Sequence, residues 1–320
     1  MILALAGGVG GAKLANGLAQ ILSPDELIVA VNTGDDFAHL GLRISPDLDT
    51  VMYTLAGRNN TETGWGLAEE TWQVMTALQH LRAQTWFRLG DRDLATHIER
   101  TRRLGEGETL SEVTASLCQA FGVRQCVVPM SDQTVQTILH TDEGVLAFQH
   151  YFVRRRCEPR VLRVEFMGHR QAVPAPKFAA ALGDGRLRAI IICPSNPFLS
   201  IQPILAVPGV QQALGSRCVP VVAVSPIVNG AAVKGPAAKI MRELGYEPSA
   251  AEIARLYQGI AHAMVIDELD RKLSAPIEAM GLHVRVTATV MKSAADQARL
   301  AQEVIAFAES MAIKNEHLNR

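Results

Sequence analysis

The sequence lacks the features that mark membrane, secreted or nucleic-acid-binding proteins. Although 48% of its 320 residues are hydrophobic, no apolar run approaches the ~20 residues of a membrane span. The first apolar run carries no basic lead and is too short for a signal-peptide core, so no export signal is read. Cys118, Cys126, Cys157, Cys193 and Cys218 form no C-x-x-C pair. That spacing speaks against a disulfide frame or a zinc site and for a reduced, cytoplasmic setting. With 31 basic against 32 acidic residues, the formal charge of -1 supplies no counterion-release drive toward nucleic acid. Aromatic residues are scarce, at 5%, so any flat apolar wall must come from a few positions. There is no H-E-x-x-H, and Ser195 does not sit in a nucleophile elbow. The nine histidines are scattered and read as structural or exposed. The expected partner is a small molecule, with no nucleic acid and no membrane.

What is present begins at once. Met1 to Ala6 is a buried-strand pattern that breaks into Gly7-Gly-Val-Gly-Gly-Ala-Lys13, a glycine-rich turn opening a helix. Such a turn lets backbone N–H groups approach an anion at a helix start, and Lys13 adds a positive charge. Lys13 stands where the dinucleotide fingerprint has its third glycine, and the Gly-Lys-Ser/Thr ending of the P-loop is missing. A helix from about residue 12 to 22 and a strand from Leu27 to Val31 complete a βαβ unit, hence a parallel sheet. Further apolar runs at Ala189 to Cys193, Val219 to Val224 and Ala263 to Ile266 continue it, and Ala294 to Ile313 reads as a closing amphipathic helix. The expected fold is α/β, a Rossmann-like parallel sheet core with a helical insertion and a small antiparallel β patch. Residues 1–320 form one domain, with an insertion at 46–166 that is helical over 46–121 and antiparallel β over 123–166. Thr109-Leu-Ser-Glu112 supplies a capping box within it.

The strand at Leu27 delivers Asn32-Thr-Gly-Asp-Asp36 to the same sheet edge as the glycine turn, and Asp47-Leu-Asp49 follows. Each acidic pair has the composition of half a magnesium site. Ser45 is expected to cap a helix with Pro46 at its first position, which sets Asp47 and Asp49 about 200° apart. Only one of them then faces a site: Asp49 is favoured, and Asp47 reads as a first-turn acid that stabilises the helix dipole. Arg88-Leu-Gly-Asp-Arg-Asp93, with His97, Arg100, Arg102 and Arg103 beyond it, reads as a solvated helix face. Arg154-Arg-Arg156 reads as an exposed edge outside the site. Pro194-Ser-Asn-Pro197 ends a buried strand in a rigid polar loop suited to a base or sugar, with Ser200 placed to cap the next helix.

Taken in order, the motifs Gly7 to Lys13, Asn32 to Asp36, Ile44 to Thr50, Leu89 to Asp93, Pro129 to Asp132, Pro194 to Pro197, Ser225-Pro226 and Gly235-Pro236 resemble the 2-phospho-L-lactate transferase family of coenzyme F-420 biosynthesis. The resemblance spans nearly the whole chain. It implies a homodimer with a Rossmann-like core. The implied reaction is Mg²⁺-dependent transfer of a phosphorylated three-carbon acid from a guanylyl-activated donor to the ribityl hydroxyl of the deazaflavin FO, releasing GMP. By position, Asp36 and Asp49 are implied as catalytic and metal-binding, with Asp49 also at FO. Arg88 falls where members carry a lysine that contacts FO. Ser195 and Asn196 fall in the guanine-nucleotide loop, and Gly8, Gly10, Gly11 and Lys13 lie near the phosphates. Trp65, Trp72 and Trp86 are candidates for the deazaflavin wall. Phospholactate, phosphoenolpyruvate and 3-phosphoglycerate donors all stay open. A non-catalytic nucleotide-sugar-binding regulator of the related gluconeogenesis-factor type is the alternative, and a nicotinamide dehydrogenase is disfavoured by the missing glycine.

Overall fold

The continuous apolar runs become the strands of a seven-stranded parallel sheet in the computed structural model, which describes residues 1–216 and 219–318, with side chains to residue 311. The strands are β1 (Ile2–Ala6), β2 (Leu27–Val31), β3 (Cys126–Pro129), β4 (Ala189–Ile192), β5 (Val221–Val224), β6 (Ala263–Ile266) and β7 (His283–Val286). They lie in the order β7-β6-β5-β4-β1-β2-β3. β1, β4, β5 and β6 are buried along their whole length, because helices cover both faces. The chain steps outward from β1 through β2 to β3, then returns to lay β4 against the other side of β1. The loops after β1 and β4 therefore leave the sheet in opposite directions and open a crevice between them, which is where sheets of this kind bind ligands.

One face of the sheet is covered by α1 (Gly8–Ile21), α2 (Pro46–Leu55) and the closing helix, which runs from Ala294 to Leu318. α1 and the closing helix touch backbone to backbone at Gly17, where an added Cβ would lie 2.1 Å from the Gln297 carbonyl oxygen. The other face carries the larger apolar cluster, which includes Phe178, Ile204, Ile240, Ile253 and Tyr257. No described helix is long and apolar enough to cross a membrane. Among the described cysteines, Cys118, Cys126, Cys157 and Cys193 are free; Cys218 lies outside the described residues.

The helical insertion is present between β2 and β3, with helices at Gln73–His80, Asp91–Gly105 and Leu110–Ala120 after α2. Thr109 and Glu112 form the expected reciprocal cap. The antiparallel patch does not begin at 123, however, because Cys126–Pro129 pairs in parallel with β2 as the edge of the main sheet. Its Cys-Val-Val-Pro run is continuously apolar, without the alternation of a one-face-buried strand. The antiparallel sheet comprises Gln136–Thr141 flanked by Gly144–Ala147 and Val161–Met167. β7 escapes a sequence reading because it alternates exposed and half-buried residues at the opposite edge. A short hairpin, Ile227–Val228 with Ala231–Ala232, turns through Asn229 and Gly230, both at positive φ.

Candidate active site

The loops at the carboxyl edge of β1, β2, β4 and β5 join the helical insertion around one cavity of ≈ 1020 Å³. The glycine turn forms its floor. α1 begins directly after Gly7, with Gly8 at φ +61°, and the loop's first N–H groups are already engaged. Gly7 N–H donates to Ser195 Oγ at 3.1 Å, and Gly8 N–H donates to Asp47 Oδ1 at 2.7 Å. An added Cβ would lie 2.2 Å from the Pro194 carbonyl oxygen at Gly10 and 2.4 Å from Ser195 Oγ at Gly11. These glycines therefore let α1 close onto the Pro194–Asn196 loop. Gly8, Gly10, Lys13, Ser195 and Asn196 border the cavity, whereas Gly11 is packed behind it. Lys13 Nζ donates to the Met291 carbonyl at 2.8 Å. Asn196, and not Ser200, caps the following helix by accepting from the N–H groups of Phe198 and Leu199.

The acids converge more closely than their helical spacing suggests. Asp47 and Asp49 both border the cavity, because it wraps around the first turn of α2, so the expectation that only one faces the site is corrected. Asp47 meets the glycine turn and Asn32, whose Nδ2 donates to Asp47 Oδ2 at 2.9 Å and to Asp35 Oδ1 at 3.3 Å. Asp35 borders the cavity; Asp36 does not, and its Oδ2 accepts from Ser45 Oγ at 2.7 Å. Ser45 is thus turned to Asp36 and makes no side-chain cap on α2. Asp36 Oδ1 is buried with no hydrogen-bond partner. Burial raises the proton affinity of all three acids, because the charged form is desolvated. Asp47 is pushed up to about 6, opposed by its hydrogen bonds from Asn32, Gly8 and Ser200. Asp36 rises to about 8, and Asp35 lies well above the usual carboxylate range, with Asp47 and Asp36 adding to the burial effect.

Asp49 has a partner that the sequence reading assigned to solvent. The helix α3 (Asp91–Gly105) turns Asp93, His97 and Arg100 inward, at the i, i+4, i+7 spacing of one helix face, and leaves Arg102 exposed. Arg100 is 2% exposed and grips Asp49 with both terminal nitrogens, NH1 to Oδ2 at 3.1 Å and NH2 to Oδ1. NH1 also reaches His97 Nδ1 at 3.2 Å, and His97 Nε2 lies 3.3 Å from Asp93 Oδ2. Tyr53 OH donates to Asp93 Oδ1 at 2.7 Å. Arg100 supplies the countercharge of Asp49, and His97, with Asp93 and Tyr53 behind it, packs against the guanidinium. Apolar lining comes from Trp65, Trp86, Phe87, Phe148 and Phe152. Trp72 does not border the cavity; it lies beneath Arg88, whose guanidinium sits 4.1 Å from the ring centroid, while Arg88 itself lines the cavity. Arg156, set aside as part of an exposed run, is another lining residue.

Removing Arg100 leaves a buried carboxylate uncompensated. We expect Arg100→Met to cost about 3–5 kcal/mol in urea unfolding, and the Asp49→Asn/Arg100→Met double variant to recover much of that loss. A double-variant loss equal to the sum of the Arg100→Met and Asp49→Asn single losses would show that the pair is not coupled.

The family described as 2-phospho-L-lactate transferase CofD matches residues 2–306. A phosphoenolpyruvate transferase of Streptomyces griseus is 42% identical over 318 residues, covering 97% of this chain and 99% of the relative. A 2-phospho-L-lactate transferase of Methanocaldococcus jannaschii is 38% identical over 315 residues, covering 97% and 99%. Among solved structures, a member of the upf0052 family from Bacillus halodurans superposes with a TM-score of 0.61 at 14% identity, over 95% of this chain and 98% of that one, and shares the fold. The seven-stranded core, the acidic crevice and this full-length similarity agree: the chain belongs to the 2-phospho-L-lactate transferase CofD family and is a transferase.

Proposed function

We propose that this transferase acts in coenzyme F-420 biosynthesis, moving a phosphorylated three-carbon acid from a guanosine-diphospho-activated donor to the ribityl hydroxyl of FO. The observation that carries this reading is that one cavity is bordered by a carboxylate wall, a glycine turn and an aromatic wall. The acceptor hydroxyl attacks the phosphorus that bears the three-carbon acid; the bridging P–O bond breaks, and GMP leaves. Little covalent chemistry falls to the protein, so rate depends on alignment and on neutralising phosphate charge. Trp65 and Trp86 suit the flat ring, Arg88 and Asp49 suit the ribityl end, and Ser195 and Asn196 suit the nucleotide. A regulator that only binds a nucleotide sugar has no use for several desolvated carboxylates at one edge.

The acids fit Mg²⁺. Asp35 and Asp47 offer hard oxygens to the cavity, and the orphaned Asp36 Oδ1 stands one residue behind. Asp49, already neutralised by Arg100, is the weaker ligand and the better acceptor for a substrate hydroxyl. Mg²⁺ bound there would offset the charge of the donor's diphosphate. Asp47 also holds the glycine turn in place through Gly8, and Asn32 keeps Asp35 and Asp47 together.

Incubating the protein with FO, Mg²⁺ and each activated donor should yield GMP and a deazaflavin heavier by the phospho-acid, read by mass spectrometry. Asp47→Asn, which can keep an acceptor for Gly8 N–H, should lower kcat by about 10²–10³-fold. No product with any donor would overturn the reading, and an unchanged kcat would remove Asp47 from the machinery.

The raised acids also set a pH dependence. In the folded, metal-free protein they hold protons that the unfolded chain releases near pH ~4. Its stability should therefore fall as pH rises from there through about 6 for Asp47 and about 8 for Asp36. Mg²⁺ should bind more tightly across that window, release protons and flatten the fall in Tm. A metal-free Tm that rises between pH 6 and 8 would contradict the assignment of these acids.

A further inference from the structure

The glycine turn's backbone carries no full charge to set against a diphosphate, and two of its leading N–H groups are already engaged. Gly7 N–H is committed to Ser195 and Gly8 N–H to Asp47. The charge must be met by cations; Lys13, Lys234 and Lys292 border the cavity, and the first two come together at this turn. Lys13 comes from α1, on the glycine turn itself. Lys234 comes from the segment that follows the Ile227–Ala232 hairpin, on the far side of the sheet's crevice.

The position of Lys234 is unusual for a surface lysine. Its Nζ crosses to the insertion and donates to the Thr63 carbonyl at 2.7 Å. It lies so close to Gly64 that a Cβ there would stand 2.6 Å from Nζ and 2.9 Å from Val9 of the glycine turn. Gly64 is at φ +83°, a left-handed conformation that favours glycine. The Lys234 ammonium is therefore held over the glycine turn, on the same side as Lys13. Burial lowers the proton affinity of Lys13, and Lys234 lowers it further by like-charge repulsion. Each ammonium has three donors; each bonds one backbone carbonyl, and neither pairs with a carboxylate among the described residues. Two like charges kept together, neither of them ion-paired although Asp296 acts on Lys13 from a distance, form a site for a polyanion.

We propose that Lys234 and Lys13 form a paired-ammonium clamp for the donor's diphosphate, in which Lys234 supplies the charge that the glycine turn's backbone does not. The clamp rests on the transferase reading for the identity of its ligand, and deepens it by assigning Lys234 to donor recognition. Lys234 bonds the Thr63 carbonyl in the free protein and turns its remaining donors to the phosphate oxygens when donor binds.

GDP, GMP and inorganic pyrophosphate serve as probes by isothermal titration calorimetry with Mg²⁺ present. The wild type should bind GDP more tightly than GMP. Lys234→Met should weaken GDP and pyrophosphate by about tenfold or more, leave GMP within about twofold, and be partly rescued by Lys234→Arg. Urea midpoints matching the wild type would show that both variants stay folded, as expected for an exposed position. If Lys234→Met binds GDP and pyrophosphate as tightly as the wild type does, the clamp is wrong and the transferase reading is untouched. If pyrophosphate binds in a Lys234-dependent way and GDP does not bind, the clamp stands and the guanine donor is wrong.

Discussion

The carboxylate of Asp47 is the constraint on which the site depends. It accepts from the Gly8 N–H and from Asn32, so one buried group ties the start of α1 to the end of β2 and the first turn of α2. α1 and β2 belong to the βαβ unit, α2 follows it in the insertion, and the three meet at the sheet edge. An acid in this position is costly to desolvate, and its raised proton affinity reflects that cost. Its hydrogen bonds offset part of the penalty. A bound cation would offset more.

The cavity is electrostatically divided. Asp35 and Asp47 line one wall with Asp36 packed behind it, and their neighbours make Asp35 and Asp36 harder to ionise. Asp49 stands in the same wall with its charge met by Arg100, itself braced by His97 and Asp93. Lys13 and Lys234 lie on the glycine-turn side without carboxylate partners among the described residues. A ligand that satisfies all three regions must carry several negative charges beside a polar hydroxyl-bearing chain, and the aromatic lining adds a flat apolar body. That description matches two substrates meeting at a diphosphate better than it matches one nucleotide alone.

Strands buried on both faces were legible, because an unbroken apolar run as short as Ala263–Ile266 suits a strand covered by helices on each side. β7 was not, since an edge strand with half its residues exposed carries a weak hydrophobic signal. The glycine turn was recognised, but its glycines serve close packing against Pro194 and Ser195 as much as anion approach. Helical geometry correctly separated Asp47 from Asp49 around α2; what it could not supply was the shape of a cavity that wraps that turn. Asp93, His97 and Arg100 were missed because charge on a helix usually faces water. Their 3–4 spacing was the available signal, and only the partner on α2 gives it meaning. The contact of Lys234 with Thr63, 171 residues apart, has no local signature at all.

A crystal structure with FO, GDP and Mg²⁺ decides whether one cavity brings the deazaflavin and the guanosine diphosphate together. The deazaflavin ring should lie against Trp65 and Trp86, its ribityl chain toward Asp49, and the diphosphate between the glycine turn and the wall of Asp35 and Asp47. Finding either ligand outside this cavity, or both inside it with the ribityl hydroxyl and the terminal phosphate facing away from each other, would contradict this arrangement.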